Sequence, residues 1–185
     1  NVNKTQSIIL SPTRELSIQT AQVITSIGGM MQNLCVQCCI GGGRVDINRH
    51  KLPHIIVGCP GKVYDLLVKK IICGDDIKIL VLDEADKLLE LGFQDELGQI
   101  LAKLPHQRQN LFLSATRPNS IESLAQSLLK NPLEIHIEGA TPQPAVIAQR
   151  AIYTDTHQRT QLLKHLIKTD HLKQLLVFVA TQHSS

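Results

Sequence analysis

Short apolar runs of strand length alternate with longer amphipathic stretches along most of this chain, and that alternation restricts the fold more than any other feature. Ser7–Leu10, Val36–Ile40, Ile55–Val57, Ile79–Leu82, Leu111–Leu113 and Leu133–Ile137 read as strands. Glu15–Ile27, Val63–Val68, Asp95–Leu104 and Ser120–Leu129 read as helices between them. Several strand runs are apolar without interruption, the pattern of strands covered on both faces. Strands and helices in this order make an open parallel α/β sheet. Asn119 with Glu122 three residues on resembles a capping box, and Asn131-Pro132 ends the helix it opens.

The chain has 185 residues and 43% hydrophobic content, enough for one packed core and marginal for two. The stretch 139–147 holds Gly139, Pro142 and Pro144 and reads as a linker. We therefore expect one domain over residues 1–138 and the opening of a second over 148–185. That opening comprises a strand around Ala148–Tyr153, a helix around His157–Lys168 and a strand at Leu175–Val179. One β-α-β unit is too small to close a core alone. The first residue is Asn1 rather than Met, so we expect an internal start within a longer protein.

Composition narrows the partners. A formal charge of +3 permits a phosphate-rich partner without requiring one. Aromatic residues make up 3% and Trp is absent, which argues against recognition by base stacking. A nucleic acid bound here is expected to be gripped by its backbone. The cysteines are Cys35, Cys38, Cys39, Cys59 and Cys73, and the single C-x-x-C of Cys35 and Cys38 has no second pair to complete a zinc site. Free thiols suit a reducing intracellular compartment, cytoplasmic or nuclear. No apolar run approaches the length of a membrane span, so no membrane contact is expected.

The chemistry concentrates at the ends of the strand runs. Ile79–Leu82 stops abruptly in Asp83-Glu84-Ala85-Asp86. Ligands of open α/β sheets bind just beyond the carboxyl ends of strands. There Asp83 is placed to hold Mg²⁺ through water, an ion that takes few protein oxygens. Glu84 is placed to orient and polarise an attacking water. An acidic first turn of a helix explains the same tetrapeptide by itself. The apolar strand directly before it favours the metal site. Pro12-Thr13-Arg14-Glu15-Leu16, Gly41-Gly42, Cys59-Pro60-Gly61-Lys62 and Ser114-Ala115-Thr116 follow four other strand runs. Taken singly, these are a helix start, a loop, a second helix start and a strand cap.

Taken in order, they resemble the PTREL, GG, TPGR, DEAD and SAT motifs of DEAD-box ATP-dependent RNA helicases. Leu176-Val177-Phe178-Val179-Ala180-Thr181 is similar to the first motif of that family's second domain. The resemblance spans essentially the whole chain and implies a RecA-like fold with the start of a second RecA-like domain. It implies that Pro12, Thr13, Arg14, Gly42, Gly61 and Lys62 touch the RNA backbone without reading its sequence. It implies that Asp83, Glu84 and Asp86 are the catalytic carboxylates, with ATP and Mg²⁺ as cofactors. Asp86 then meets the strand end of Ser114, Ala115 and Thr116, which couple nucleotide state to strand separation. General physics supports the RNA assignments, since helix N-termini attract phosphate and glycine lets a backbone approach closely.

Two positions depart from the family pattern. Its TPGR threonine is Cys59 here and its arginine is Lys62. Cysteine is a poor hydrogen-bond donor, and lysine keeps the charge but loses the two-pronged fork. No G-x-x-x-x-G-K-[ST] loop occurs in the sequence. The resemblance implies that this loop and the adenine-reading segment precede Asn1, and that the arginine motifs completing hydrolysis follow Ser185. The expected function is an RNA helicase driven by Mg-ATP hydrolysis, with the 185-residue chain alone inactive. The rival is a non-catalytic RNA- or partner-binding module of the same fold. A third reading, an ATPase of similar fold acting on DNA or protein, is disfavoured only by the resemblance of Pro12–Leu16 and Ser114–Thr116.

Overall fold

The structure, a computed structural model, describes residues 4–42, 47–48, 51–116, 118–137 and 148–179. The chain divides into two compact units, Asn1–Leu133 and Glu134–Ser185. In the first, β1 (Ser7–Leu10), β2 (Val36–Cys39), β3 (Ile55–Gly58), β4 (Ile79–Leu82) and β5 (Gln109–Phe112) form one sheet in the order β2-β3-β1-β4-β5. Every pairing is parallel. The helices of this unit are α1 (Arg14–Ile27), α2 (Pro60–Val68), α3 (Ala85–Glu90), α4 (Gln94–Leu101) and α5 (Asn119–Leu128).

Successive residues of a strand point to opposite faces. Ile56 and Val57 are neighbours and both are fully buried, so the sheet centre is covered on both sides. Ile8, Leu10, Leu80 and Leu82 join Ile56 in one core, packed with Leu66 of α2, Leu88 of α3 and Leu97 and Ile100 of α4. Gly58 shows how closely the strands approach: a Cβ there would lie 2.2 Å from the Cys39 carbonyl oxygen.

The register aligns the strand ends. Leu10 lies opposite both Gly58 and Leu82, and Leu82 lies opposite Phe112. From β1 the chain leaves towards β2 and β3, and from β4 it leaves the other way, to β5. Beyond the carboxyl ends of β1 and β4 the connections therefore part, the place where open α/β sheets bind ligands.

Several expected elements differ. Strand β5 spans Gln109–Phe112 rather than 111–113, because its start is set by pairing with Ile79 of β4 and not by where its apolar residues begin. Helix α3 was not among the helices read from periodicity, since six residues are too few to show a helical period, and only the alternative reading of Asp83–Asp86 as an acidic first turn allowed for it. The capping box at Asn119 is corrected: Pro118 is the N-cap and offers no side-chain hydrogen bond, while its carbonyl accepts from Ile121 and Glu122. The strand expected at Leu133–Ile137 is also corrected. That segment is not a strand, and Leu133, Ile135 and Ile137 are 87%, 77% and 89% exposed.

In the second unit, α6 (Arg159–Thr169) follows a 3₁₀ turn at Thr156–Gln158, close to the expected helix. Arg150 and Asp170 form an exposed ion pair. Residues 148–153 and 175–179 are not strands. A strand is held by backbone hydrogen bonds to a neighbour, and among the described residues these segments have no such bonds. The expected linker, 139–147, and Ala180 and Thr181 lie outside the described residues. Among the described residues no helix is long and apolar enough to cross a membrane.

Candidate functional site

The carboxylate-bearing turn is built by β4 and its neighbours. Buried β4 delivers Asp83, whose N–H donates to the Leu10 carbonyl at 2.9 Å. Glu84 follows in a left-handed backbone conformation, φ 47° and ψ 55°, as N-cap of α3. That region costs a non-glycine residue about 1 kcal/mol, and such strain gathers at functional sites. The turn is held on both flanks, since the Ala85 N–H donates to the Leu113 carbonyl and the Leu88 N–H to the Glu84 carbonyl. The result separates the three carboxylates: Asp83 is half-buried, Glu84 exposed and Asp86 buried.

Asp86 faces the end of β5. The Thr116 hydroxyl donates to its Oδ2 at 2.8 Å. The Ser114 hydroxyl donates to the Thr116 carbonyl at 2.8 Å, which ties the Ser-Ala-Thr turn together. Burial pushes the Asp86 carboxyl up. Burial is the largest single influence, but the hydrogen bonds from Thr116 and Ser114 and from the backbone N–H groups of Lys87 and Asp86 itself together outweigh it, and the net direction is down. Asp86 is therefore a carboxylate at neutral pH. Its Oδ1 is buried and has no hydrogen-bond partner among the described residues.

A second site opens at the ends of β1 and β3. Pro12, Thr13, Arg14, Glu15, Gly41, Cys59, Gly61, Lys62, Asp65 and Phe93 line a groove of about 560 Å³. Helices α1 and α2 both begin there. Thr13 caps α1 by accepting from the Leu16 N–H at 3.2 Å. Cys59 occupies the same position on α2 without making a side-chain cap, and Pro60 follows it as the first helical residue. The Cys59 Sγ lies 3.7 Å from the Ser17 hydroxyl, which joins the two helix starts. Lys62 lies 3.9 Å from Asp65, whose carboxylate pairs with Lys69 at 2.7 Å.

The DEAD/DEAH box helicase family model matches residues 1–124. The chain belongs to the DEAD/DEAH box helicases. It is 33% identical over 183 residues to ATP-dependent RNA helicase DbpA of Bacillus subtilis (strain 168), covering 97% of this chain and 38% of DbpA. A DEAD box protein from Methanococcus jannaschii superposes with a TM-score of 0.65 at 35% identity, over 69% of this chain and 36% of that one. Saccharomyces cerevisiae Dbp5 bound to RNA and ADP BeF3 gives a TM-score of 0.64 at 30% identity, over 73% of this chain and 34% of Dbp5. The chain thus spans between about a third and two fifths of the length of these relatives. The sheet is the RecA-like fold of the DEAD-box helicases.

Within this DEAD/DEAH box helicase chain, the expected site residues fall into two groups on one sheet edge. Asp83, Glu84, Asp86, Ser114, Ala115 and Thr116 stand at the ends of β4 and β5. Pro12, Thr13, Arg14, Gly61 and Lys62 share the groove, with Gly42 in the adjoining turn. Sequence reasoning missed Asp65 and Phe93 as groove residues. Asp65 was within reach, lying three residues after Lys62 on the same helix face. Phe93 was not: it follows a turn at Gly92 with φ +83°, and its ring packs against the core while also walling the groove.

Proposed function

We propose that the full-length protein is an ATP-dependent RNA helicase that couples Mg-ATP hydrolysis to local unwinding of RNA duplexes. The observation that carries this reading is the 2.8 Å bond from Thr116 to Asp86. It joins the catalytic turn of one strand to the coupling turn of the next, beside a groove that offers cations to a phosphate backbone.

In this reading Glu84 orients and polarises the attacking water. The exposure of Glu84 and its fixed backbone suit a group that must meet a ligand from solvent. Asp83 fits as a water-mediated Mg²⁺ ligand: one half-buried carboxylate at a strand end matches an ion that keeps most of its waters. Mg²⁺, when bound, would neutralise charge on the transferred phosphate. Asp86 positions the Ser-Ala-Thr turn. Pro12, Thr13, Arg14, Gly42, Gly61 and Lys62 hold the RNA backbone without reading its sequence. The Thr13 hydroxyl is engaged as a helix cap, so its share is the N-terminus it organises. Residues 148–185 are read as the opening of the second RecA-like domain after the linker 139–147. The five free cysteines support an intracellular placement, cytoplasmic or nuclear.

A second reading, a non-catalytic RNA- or partner-binding module, is favoured by Cys59 and Lys62 at the positions where the family carries threonine and arginine. RNA-stimulated phosphate release and duplex unwinding separate the two. The full-length protein is expected to show both, and the 185-residue chain neither, since it holds no phosphate loop. Absence of nucleotide turnover in the full-length protein would favour the binding module.

A further inference from the structure

We propose that Gly41 and Gly42 are positioning residues for Arg14: their turn forms a floor without side chains on which the guanidinium rests, facing the groove. The inference rests on reading the groove as the RNA phosphate site, and it gives the glycines a role beyond the RNA contact that this reading assigns to Gly42.

The geometry is direct. A Cβ on Gly41 would lie 3.4 Å from Arg14 Nη2, and a Cβ on Gly42 would lie 3.3 Å from Nη1 and 3.9 Å from Nη2. Both terminal nitrogens of the guanidinium therefore lie against the turn, within the distance of a side chain's first atom. Gly42 also has φ +92°, which strains any other L-residue. Gly41 carries no such strain, and among the described residues the atoms that a Cβ there would meet within 4 Å are those of the Arg14 guanidinium.

Arg14 depends on such a seat. It is the first residue of α1, so its backbone is fixed by the helix while its long side chain is not. Among the described residues Arg14 makes no ion pair. The groove's Asp65 is already held between Lys69 at 2.7 Å and Lys62 at 3.9 Å. Contact with the turn therefore orients the guanidinium, and its charge stays available to an anion. A planar fork held in place loses less freedom on meeting a phosphate than a loose one.

The test is a double-mutant cycle on single-stranded RNA binding by the full-length protein, each variant titrated with salt. Arg14→Ala is expected to weaken binding roughly tenfold and to reduce the salt slope by about 0.7, the value for one lost single-strand phosphate contact. Gly41→Val should reproduce both changes. In the Arg14→Ala background it should add less than about twofold, because neighbours acting through one group are not additive. Gly42→Asn, the replacement that a positive φ strains least, should give the same answer from the second position if Gly41→Val unfolds. Additive losses, or a weaker affinity with an unchanged salt slope, would overturn the proposal by showing that the turn acts on RNA independently of Arg14. If Arg14→Ala leaves both quantities unchanged, the phosphate reading of the groove falls, and this inference with it.

Discussion

At the ends of β4 and β5 the side chains are tied closely to one another, whereas at the ends of β1 and β3 the contacts between side chains are longer and the cations are left facing a groove. The first region spends its polar groups internally: Thr116 donates to Asp86, Ser114 donates to the Thr116 carbonyl, and strand-end N–H groups pin the turn around a strained Glu84. The second leaves its cations facing a groove, with Arg14 resting on glycines and Lys62 only loosely paired to Asp65. In the reading proposed above, one sheet edge thus carries two kinds of site. Groups that act on a reacting bond need fixed positions before the ligand arrives. Groups that grip a backbone of any sequence need free charge and open space.

The largest expected effect falls on the fixed region. Glu84→Gln in the full-length protein should lower ATP turnover at least a hundredfold, with ATP affinity nearly unchanged, because an amide keeps the shape but cannot act as a base. A steady-state assay showing turnover within about tenfold of the parent would remove Glu84 from that role and blur the contrast between the two regions.

Thr116→Val probes the internal bond itself. A hydrogen bond to a buried carboxylate is worth about 1.5 kcal/mol at the lower end of its range, appropriate because Thr116 is exposed. The Asp86 carboxyl lies below its ordinary value of 3.8 in the folded protein. A depressed carboxyl contributes stability above its unfolded value and loses it as pH falls through the folded one. Chemical denaturation should therefore show the variant about 1.5 kcal/mol less stable at neutral pH. The gap should close as pH drops below 3.8. A gap independent of pH would mean that the bond does not act through the carboxylate's charge.

Changes in the groove should be smaller and should leave turnover chemistry alone. Arg14→Ala should cost roughly tenfold in RNA affinity, equally for two unrelated single strands, with the salt slope reduced by about 0.7. A loss that differs between the strands would place base recognition in the groove. Lys62→Arg should produce the smallest change, between none and about threefold tighter binding, since a guanidinium engages phosphate with two hydrogen bonds where an ammonium acts as a point charge. Weaker binding by Lys62→Arg would show that the 3.9 Å contact with Asp65 tunes this position for lysine.

Much of the first unit was legible because its signals are local. Uninterrupted apolar runs at Ile55–Val57 and Ile79–Leu82 announce strands covered on both faces, and Asp83–Asp86 follows one of them at a fixed place. The ordered segments at strand ends marked the family. The second unit was legible only in its helix, which satisfies its own backbone hydrogen bonds; the apolar runs at 148–153 and 175–179 are strand-like in sequence, but a strand requires a neighbour.

The sequence by itself determined which residues stand at strand ends, because hydrophobic periodicity and breaker residues act over a few positions. Two helix starts at strand ends already put Arg14 and Lys62 on one sheet edge and facing one groove; tertiary structure alone decided that β1 lies between β3 and β4, which makes their strands neighbours. The resemblance implied that Asp86 meets the strand end of Thr116, thirty residues on; tertiary structure decided the form of that meeting, with Asp86 buried on the Thr116 hydroxyl while Glu84 stays exposed. Strand order and side-chain direction follow from packing both faces of one sheet at once, a condition set by residues distant in the chain that no local pattern encodes.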